Sequence, residues 1–129
     1  MTTRPPGAER DRRRFEAAID LYLHDCYRNR TVVRVAELAS ILGLSRQRIN
    51  EAVSAAFGTG PLEILRKRQL SYAAGLLVNT PLEIEDVAAA SGFGHRATLY
   101  RAFVRAYGMS PTQFRQADKM QPPRERSRR

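Results

Sequence analysis

A repeated pattern constrains the fold of this chain more than any other feature of its sequence. Residues 35–61 read VAELASILGLSRQRINEAVSAAFGTGP, and residues 84–111 read IEDVAAASGFGHRATLYRAFVRAYGMSP. Glycines and apolar residues recur in the same order, and the matched pairs are Leu38 with Val87, Ala39 with Ala88, Gly43 with Gly92, Ile49 with Leu99, Val53 with Phe103, Phe57 with Tyr107, Gly58 with Gly108 and Pro61 with Pro111. Self-similarity of this kind indicates that one small structural unit occurs twice.

Each copy predicts two helices joined by a tight turn. In the first copy an apolar stripe at helical spacing ends at Gly43, which suits the left-handed conformation that closes a helix. Ser45 then provides a favourable N-cap for the next helix. The stripes predicted to be buried on the second helices are Ile49, Val53, Ala56 and Phe57 in the first copy, and Leu99, Phe103 and Tyr107 in the second. A helix, a short turn with glycine and a second helix form the helix-turn-helix plan.

The rest of the sequence also favours helices. No stretch alternates apolar and polar residues for long enough to predict a strand, so the fold class expected is all-α. An amphipathic helix is predicted at roughly 10–27. A linker helix of about 25 Å is predicted between the copies. Its expected core-facing residues are Leu62, Leu65, Leu70, Ala73, Leu76 and Leu77.

These patterns divide the chain into five expected segments. They are a disordered N-terminus at 1–9, an N-terminal helix with the first helix-turn-helix unit at 10–60, a linker helix at 61–79, the second unit at 80–118 and a disordered basic tail at 119–129. The net charge is +9 at pH 7, which favours a polyanionic partner. Seven of those nine charges lie in residues 1–14 and 119–129, so charge alone does not make the repeat a nucleic-acid binder.

Several function classes lack support in the sequence. Cys26 is the only cysteine, which excludes an internal disulfide and suits a reducing cytosol. His24 and His95 have no partners at metal-ligand spacing, and no apolar run approaches the roughly 18 residues that span a bilayer. No nucleophile with a base, no paired acids and no phosphate loop is present. We therefore expect a cytoplasmic protein that is not an enzyme and has no metal, cofactor or membrane association.

The second helix of a helix-turn-helix unit presents polar residues near its N-terminus to the major groove of DNA. The residues at these positions are Arg46, Gln47, Asn50 and Glu51 in the first copy, and His95, Arg96, Thr98 and Arg101 in the second. Their side chains suit base edges, because Arg pairs with guanine, Gln or Asn with adenine, and Glu with cytosine. The helical repeat of DNA, about 34 Å, is near the separation that the linker helix provides.

The two units, the Gly43 and Gly92 turns, the long linker helix and the stretch GFGHRATLYRAFVRAYGMSPTQFR resemble the DNA-binding domain of AraC/XylS transcriptional regulators. The resemblance covers roughly residues 15–118. It implies about seven helices, with base-reading residues on the third and sixth. Carried over by motif, the base readers are Gln47, Asn50, Glu51, Ala97, Thr98 and Arg101, and the flanking or phosphate contacts are Arg46, Arg48 and Arg96.

The function expected is a sequence-specific transcriptional regulator that reads two adjacent major grooves of double-stranded DNA as a monomer. RNA polymerase is a second candidate partner. The chain is expected to consist of the DNA-binding domain alone, because its 129 residues leave no room for a separate sensing domain, and it is either a full-length protein of this kind or a fragment. The alternative is a helical adaptor that binds RNA polymerase or another regulator without reading DNA. Glu51 favours that alternative, because a carboxylate on a recognition helix repels phosphate.

Overall fold

A computed structural model describes the backbone of residues 6–120 and the side chains of residues 9–120. This part of the chain contains seven α-helices and no strand, which confirms the all-α expectation. The helices are α1 (Pro6–Asn29), α2 (Val35–Leu42), α3 (Arg46–Phe57), α4 (Pro61–Asn79), α5 (Ile84–Ala90), α6 (Arg96–Tyr107) and α7 (Pro111–Met120). Residues 1–5 and 121–129, where parts of the expected N-terminus and basic tail fall, lie outside the described residues.

Two helix boundaries differ from the expectation. The first helix begins at Pro6, so residues 6–9, expected to precede it, are helical. Proline fits the first helical turn because the amide hydrogen it lacks has no partner there. At the other end α7 continues to Met120, so Lys119 lies in a helix and not in the tail.

The helices enclose two apolar cores that share α4. The first core is formed by α1, α2, α3 and the N-terminal half of α4, which contributes Ile64 and Leu65. The second is formed by the C-terminal half of α4 with α5 and α6, and Phe114 of α7 packs against it. The linker helix is therefore a common wall, with Leu70 and Leu77 facing the second core.

Two residues expected in the core are exposed. Leu62 is 54% exposed, because the buried face of α4 begins with Pro61, Ile64 and Leu65. The centre of that face is roughly 100° around the helix from Leu62. Tyr107 is 40% exposed. Its ring lies at the rim of the second core, where it contacts the rings of Phe103 and Phe114 at centroid distances of 4.5 and 5.6 Å.

The turns between the paired helices follow the expected chemistry in the first unit. Gly43 has φ 70° and closes α2, with its N–H directed at the carbonyls of Ala39 and Ser40. The Ser45 hydroxyl accepts a hydrogen bond from the backbone N–H of Arg48 at 3.1 Å. In the second unit Ser91 ends α5, and His95 precedes α6 without a side-chain cap. The second copy has one more residue than the first between the turn glycine and the buried stripe of the second helix. Matched residues of the two copies are therefore 49 positions apart up to the turn glycine, as in Gly43 and Gly92, and 50 positions apart after it, as in Ile49 and Leu99.

Candidate nucleic-acid interface

The orientation of α3 and α6, the second helices of the two units and here called the recognition helices, follows from the buried stripe on each. Ile49 and Val53 are fully buried on α3, as are Leu99 and Phe103 on α6. With about 100° of rotation per residue, the face opposite these stripes lies on the solvent side of both helices. The residues on that outward face are Gln47, Glu51 and Ser54 on α3, and Ala97, Arg101 and Val104 on α6. The two faces are the candidate interface.

Of the ten predicted site residues, the structure places four on these two faces, Gln47, Glu51, Ala97 and Arg101, and the other six on the flanks or at the N-termini of the same two helices. Nine are exposed, and Thr98 is half-buried at the edge of the second core. The exposed nine are Arg46, Gln47, Arg48, Asn50, Glu51, His95, Arg96, Ala97 and Arg101. Exposure near the N-terminus of the second helix is what a groove-reading role requires, and the individual roles stay predictions.

The outward face of α3 carries an internal hydrogen bond. The amide nitrogen of Gln47 donates to a carboxylate oxygen of Glu51 at 3.1 Å, across one turn of the helix. The bond holds the Gln47 amide beside a negative charge. The centre of this face is therefore an acceptor group, whose natural major-groove partner is the amino group of cytosine.

The outward face of α6 has the opposite character. Among the described residues, no hydrogen bond or ion pair engages the Arg101 guanidinium. This group is therefore available to a guanine edge or a phosphate. Ala97 lies one turn before Arg101, and Val104 follows it by three residues. Both flanking side chains are apolar and suit thymine methyl groups.

Ser54 and Val104 also lie on the outward faces and were not among the residues predicted from the sequence. Val104 is 40% exposed although it is apolar. The helical spacing from Arg101 was the signal available in the sequence, but an apolar residue on a helix is usually assigned to the core. Arg105, exposed in the last turn of α6, adds a further positive charge to this unit.

Two basic residues of the linker helix make contacts within the protein. The Arg68 guanidinium forms ion pairs with Glu16, at 3.3 Å, and with Asp20. The Arg66 guanidinium lies 5.1 Å from the centroid of the Phe93 ring, and burial lowers its pKa from the usual value. Arg66 and Arg68 therefore stabilise packing around α4.

The described part of the chain offers neither a metal site nor a membrane span. In residues 9–120 there is no group of three or more His, Cys, Asp or Glu side chains that could hold a metal ion. Within the same part of the chain, every helix is too short or too polar to cross a membrane.

Two helix-turn-helix units on one shared helix, each with a polar outward face on its second helix, define a double helix-turn-helix DNA-binding domain. A family model described as "Helix-turn-helix domain" matches residues 38–117. The chain belongs to this family, in its AraC-type form, which confirms the resemblance seen in the sequence.

Curated relatives carry the same domain within longer proteins. The chain is 32% identical over 82 residues to "RCS-specific HTH-type transcriptional activator RclR" of Escherichia coli K12, an alignment that covers 64% of this chain and 29% of that protein. It is 35% identical over 81 residues to a protein of Streptomyces antibioticus described as an AraC-like transcription regulator. That alignment covers 63% of this chain and 27% of that protein. The chain spans about a third or less of the length of the curated relatives it matches.

Solved structures share the fold. The C-terminal domain of the two-component response regulator yesN from Fusobacterium nucleatum superposes with a TM-score of 0.69 at 22% identity, covering 78% of this chain and 96% of that one. The DNA-binding domain of AdpA, solved in complex with a target DNA, gives a TM-score of 0.66 at 24% identity. The superposition covers 77% of this chain and 90% of that one. At these identities the likeness shows the fold alone.

Proposed function

We propose that this chain is a sequence-specific DNA-binding transcriptional regulator whose helices α3 and α6 enter two adjacent major grooves. The observation that carries the proposal is the pair of outward faces, one on each recognition helix, held on a single linker helix. The α4 helix has 19 residues and spans about 28 Å. That length is close to the 34 Å helical repeat of B-DNA. The family and the AdpA–DNA complex support the same role.

In the first half-site, Glu51 accepts a hydrogen bond from a cytosine amino group while Gln47 and Asn50 reach neighbouring bases. Arg46 and Arg48, at the start of α3, contact flanking phosphates. Phosphate contacts of this kind position the protein and carry no sequence information themselves.

In the second half-site, Arg101 pairs with a guanine, and its planar guanidinium donates to both acceptors on the guanine edge. Ala97 and Thr98 contact the neighbouring base pairs, with the Ala97 methyl group against thymine. His95 and Arg96 lie at the N-terminus of α6, where the helix dipole also attracts phosphate.

The remaining parts of the proposal concern partners and setting. The protein binds as a monomer, because the two unlike units together cover one asymmetric site. It acts in the cytoplasm, where its DNA lies, and binds without catalysing a reaction. RNA polymerase is the partner through which a bound regulator acts on transcription. The adaptor alternative rests on Glu51, because its carboxylate opposes phosphate at the centre of one recognition helix.

Selection from a random-sequence DNA library tests this proposal. Bound duplexes are recovered and sequenced over several rounds at about 0.15 M salt, because binding at low salt is dominated by phosphate contacts. The expected result is an enriched motif with two half-sites about one helical turn apart. The matched control is a protein with Gln47→Ala and Arg101→Ala, which should retain weak binding without the motif. Absence of any enriched motif, with retained binding to RNA polymerase, would establish the adaptor function instead.

A further inference from the structure

A contact away from the linker helix joins the two units. Residues 31–34, here called the strap, connect α1 to α2 and belong to the first unit. They lie against the turn of the second unit, residues 91–95, where the backbone N–H of Val33 donates to the carbonyl of Gly92 at 2.9 Å. Helix α1 also packs against α5. The units therefore meet along a surface that is separate from their covalent connection.

The fit at this contact is close enough to require glycine. A Cβ atom on Gly92 would lie 2.5 Å from Cγ2 of Val33, and one on Gly94 would lie 2.7 Å from Cγ2 of Val32. Real Cβ contacts essentially never occur at such distances. Both glycines also have positive φ angles, 80° and 88°, which side chains disfavour. The two valine side chains thus occupy the space that the missing side chains leave.

The strap is fixed to the first unit by a buried tyrosine. The Tyr22 hydroxyl accepts a hydrogen bond from the backbone N–H of Arg34 at 2.8 Å. The same hydroxyl donates to the Glu37 carboxylate at 2.5 Å. Burial and the neighbouring carboxylate raise the pKa of Tyr22, so the hydroxyl keeps the proton that it donates. Movement of the strap would break these bonds.

The turn of the second unit is held from its other side by α4. Gln69, which is fully buried, lies between the two cores, and its side-chain nitrogen donates to the Ser91 carbonyl at 3.0 Å. A buried amide without this partner would carry a desolvation cost, so the bond fixes both groups. Arg66 covers the Phe93 ring next to it. The turn of the second unit is therefore packed between the strap on one side and the linker helix on the other.

We propose that the clasp formed by Val32 and Val33 on Gly92 and Gly94 fixes the orientation of α3 relative to α6, and thereby the spacing of the two DNA half-sites. The linker helix sets the distance between the units, and the clasp sets their relative rotation about that helix. The clasp lies off the axis of that helix, where it opposes rotation of one unit around the other. This inference rests on the proposed function, because the spacing it sets is a spacing of DNA half-sites.

The test measures how strongly binding depends on that spacing. The library-selected duplex is compared with versions carrying one base pair more or less between the half-sites, which rotates one half-site by about 35°. For the wild-type protein we expect affinity to fall about tenfold or more, the loss of at least one base contact. For the double variant Val32→Ala with Val33→Ala, we expect the affinity for the altered-spacing duplexes to be about threefold lower, or less, than its affinity for the selected duplex. The control Val78→Ala makes the same kind of truncation at one exposed position on α4 and should behave as wild type.

A role limited to stability would lower the melting temperature without changing the spacing penalty. The inference is overturned if the folded double variant keeps the wild-type penalty, or if the wild-type protein tolerates the altered spacings. If the double variant does not melt cooperatively, the single variant Val32→Ala, at a half-buried residue, is tested instead. A reduced spacing penalty again supports the inference, and an unchanged penalty overturns it.

A measurement without DNA separates this inference from the proposed function. Amide hydrogen exchange of the free protein reports on the Val33 N–H, which is bonded across the units. Exchange as slow as that of Val53 in the first core supports the clasp even if no DNA motif is enriched. Exchange at the rate of an unprotected amide overturns the clasp even if a motif is found.

Discussion

Helices α3 and α6 occupy the same place in the two copies of the repeat and present opposite chemistry to solvent. Glu51 and Arg101 are equivalent positions, both opposite the buried stripe of their helix. Around them, Gln47 corresponds to Ala97, and Ser54 to Val104. The buried positions match in apolar character, whereas the outward positions do not match at all. The comparison teaches that the repeat maintains a scaffold, while each unit is free to read a different DNA sequence.

The cores of the two units also differ in how they hold the recognition helix. In the first unit α3 is anchored by aliphatic residues, with Ile49 and Val53 fully buried. In the second unit Phe103 lies at the centre of an aromatic cluster, and its ring meets that of Phe114 edge-on at 5.1 Å. The position of α6 therefore depends more on a single side chain than the position of α3 does.

Truncation of the equivalent core residues should expose that difference. Phe103→Ala should lower the free energy of unfolding by about 3–5 kcal/mol, since it leaves a large cavity. Val53→Ala, at the matching position in the first unit, should cost about 2 kcal/mol, because fewer buried carbon atoms are removed. Urea denaturation of both variants and the wild type measures the two losses. Equal losses would contradict the assignment of Phe103 as the main anchor of α6.

Removal of Arg101 from the outward face of α6 should affect specific binding most. Arg101→Ala should weaken binding to the selected site by about 1–3 kcal/mol and relax the preference at one or two base pairs. Fluorescence anisotropy with the selected site and with random DNA measures both affinities. Arg28→Ala removes an equal charge from an exposed position at the end of α1 and serves as the control. An equal loss on both DNAs would show that Arg101 contacts only phosphate.

Neutralising the acid on α3 should have a smaller effect and the opposite sign. Glu51→Gln removes the negative charge but retains a group that hydrogen-bonds with Gln47. We expect binding to random DNA to strengthen by about 0.2–1 kcal/mol, the usual size of a surface charge interaction. Preference for cytosine at one position should weaken at the same time. Weaker binding to random DNA would mean that the Glu51 carboxylate does not repel the charge of the DNA.

Most of the fold could be predicted from the sequence because its signals are local. Ser45 caps α3 and Gly43 ends α2 through contacts with residues a few positions away. The exposure of Gln47, Glu51, Ala97 and Arg101 could be predicted for the same reason, since burial of one stripe fixes the opposite face. Leu62 was misplaced because helical spacing alone does not reveal where a core ends.

The contacts between the units could not be predicted. Val32 and Val33 lie between two predicted helices, and nothing near them in the sequence points to Gly92 and Gly94, about 60 residues later. The pairing depends on how the two units fold onto α4. The Gln47–Glu51 hydrogen bond was also not predicted, because a four-residue spacing permits the bond but equally leaves both side chains free to reach bases.

The central claim is that the two units read different half-sites through Glu51 and Arg101. Parallel library selections with the wild type, Glu51→Ala and Arg101→Ala test it most directly. We predict a two-part motif for the wild type, with each variant losing preference at one position. The two positions should lie in different half-sites about 10 base pairs apart, with a cytosine contacted by α3 and a guanine by α6. Loss of preference in the same half-site for both variants, or an unchanged motif for either, would contradict the account.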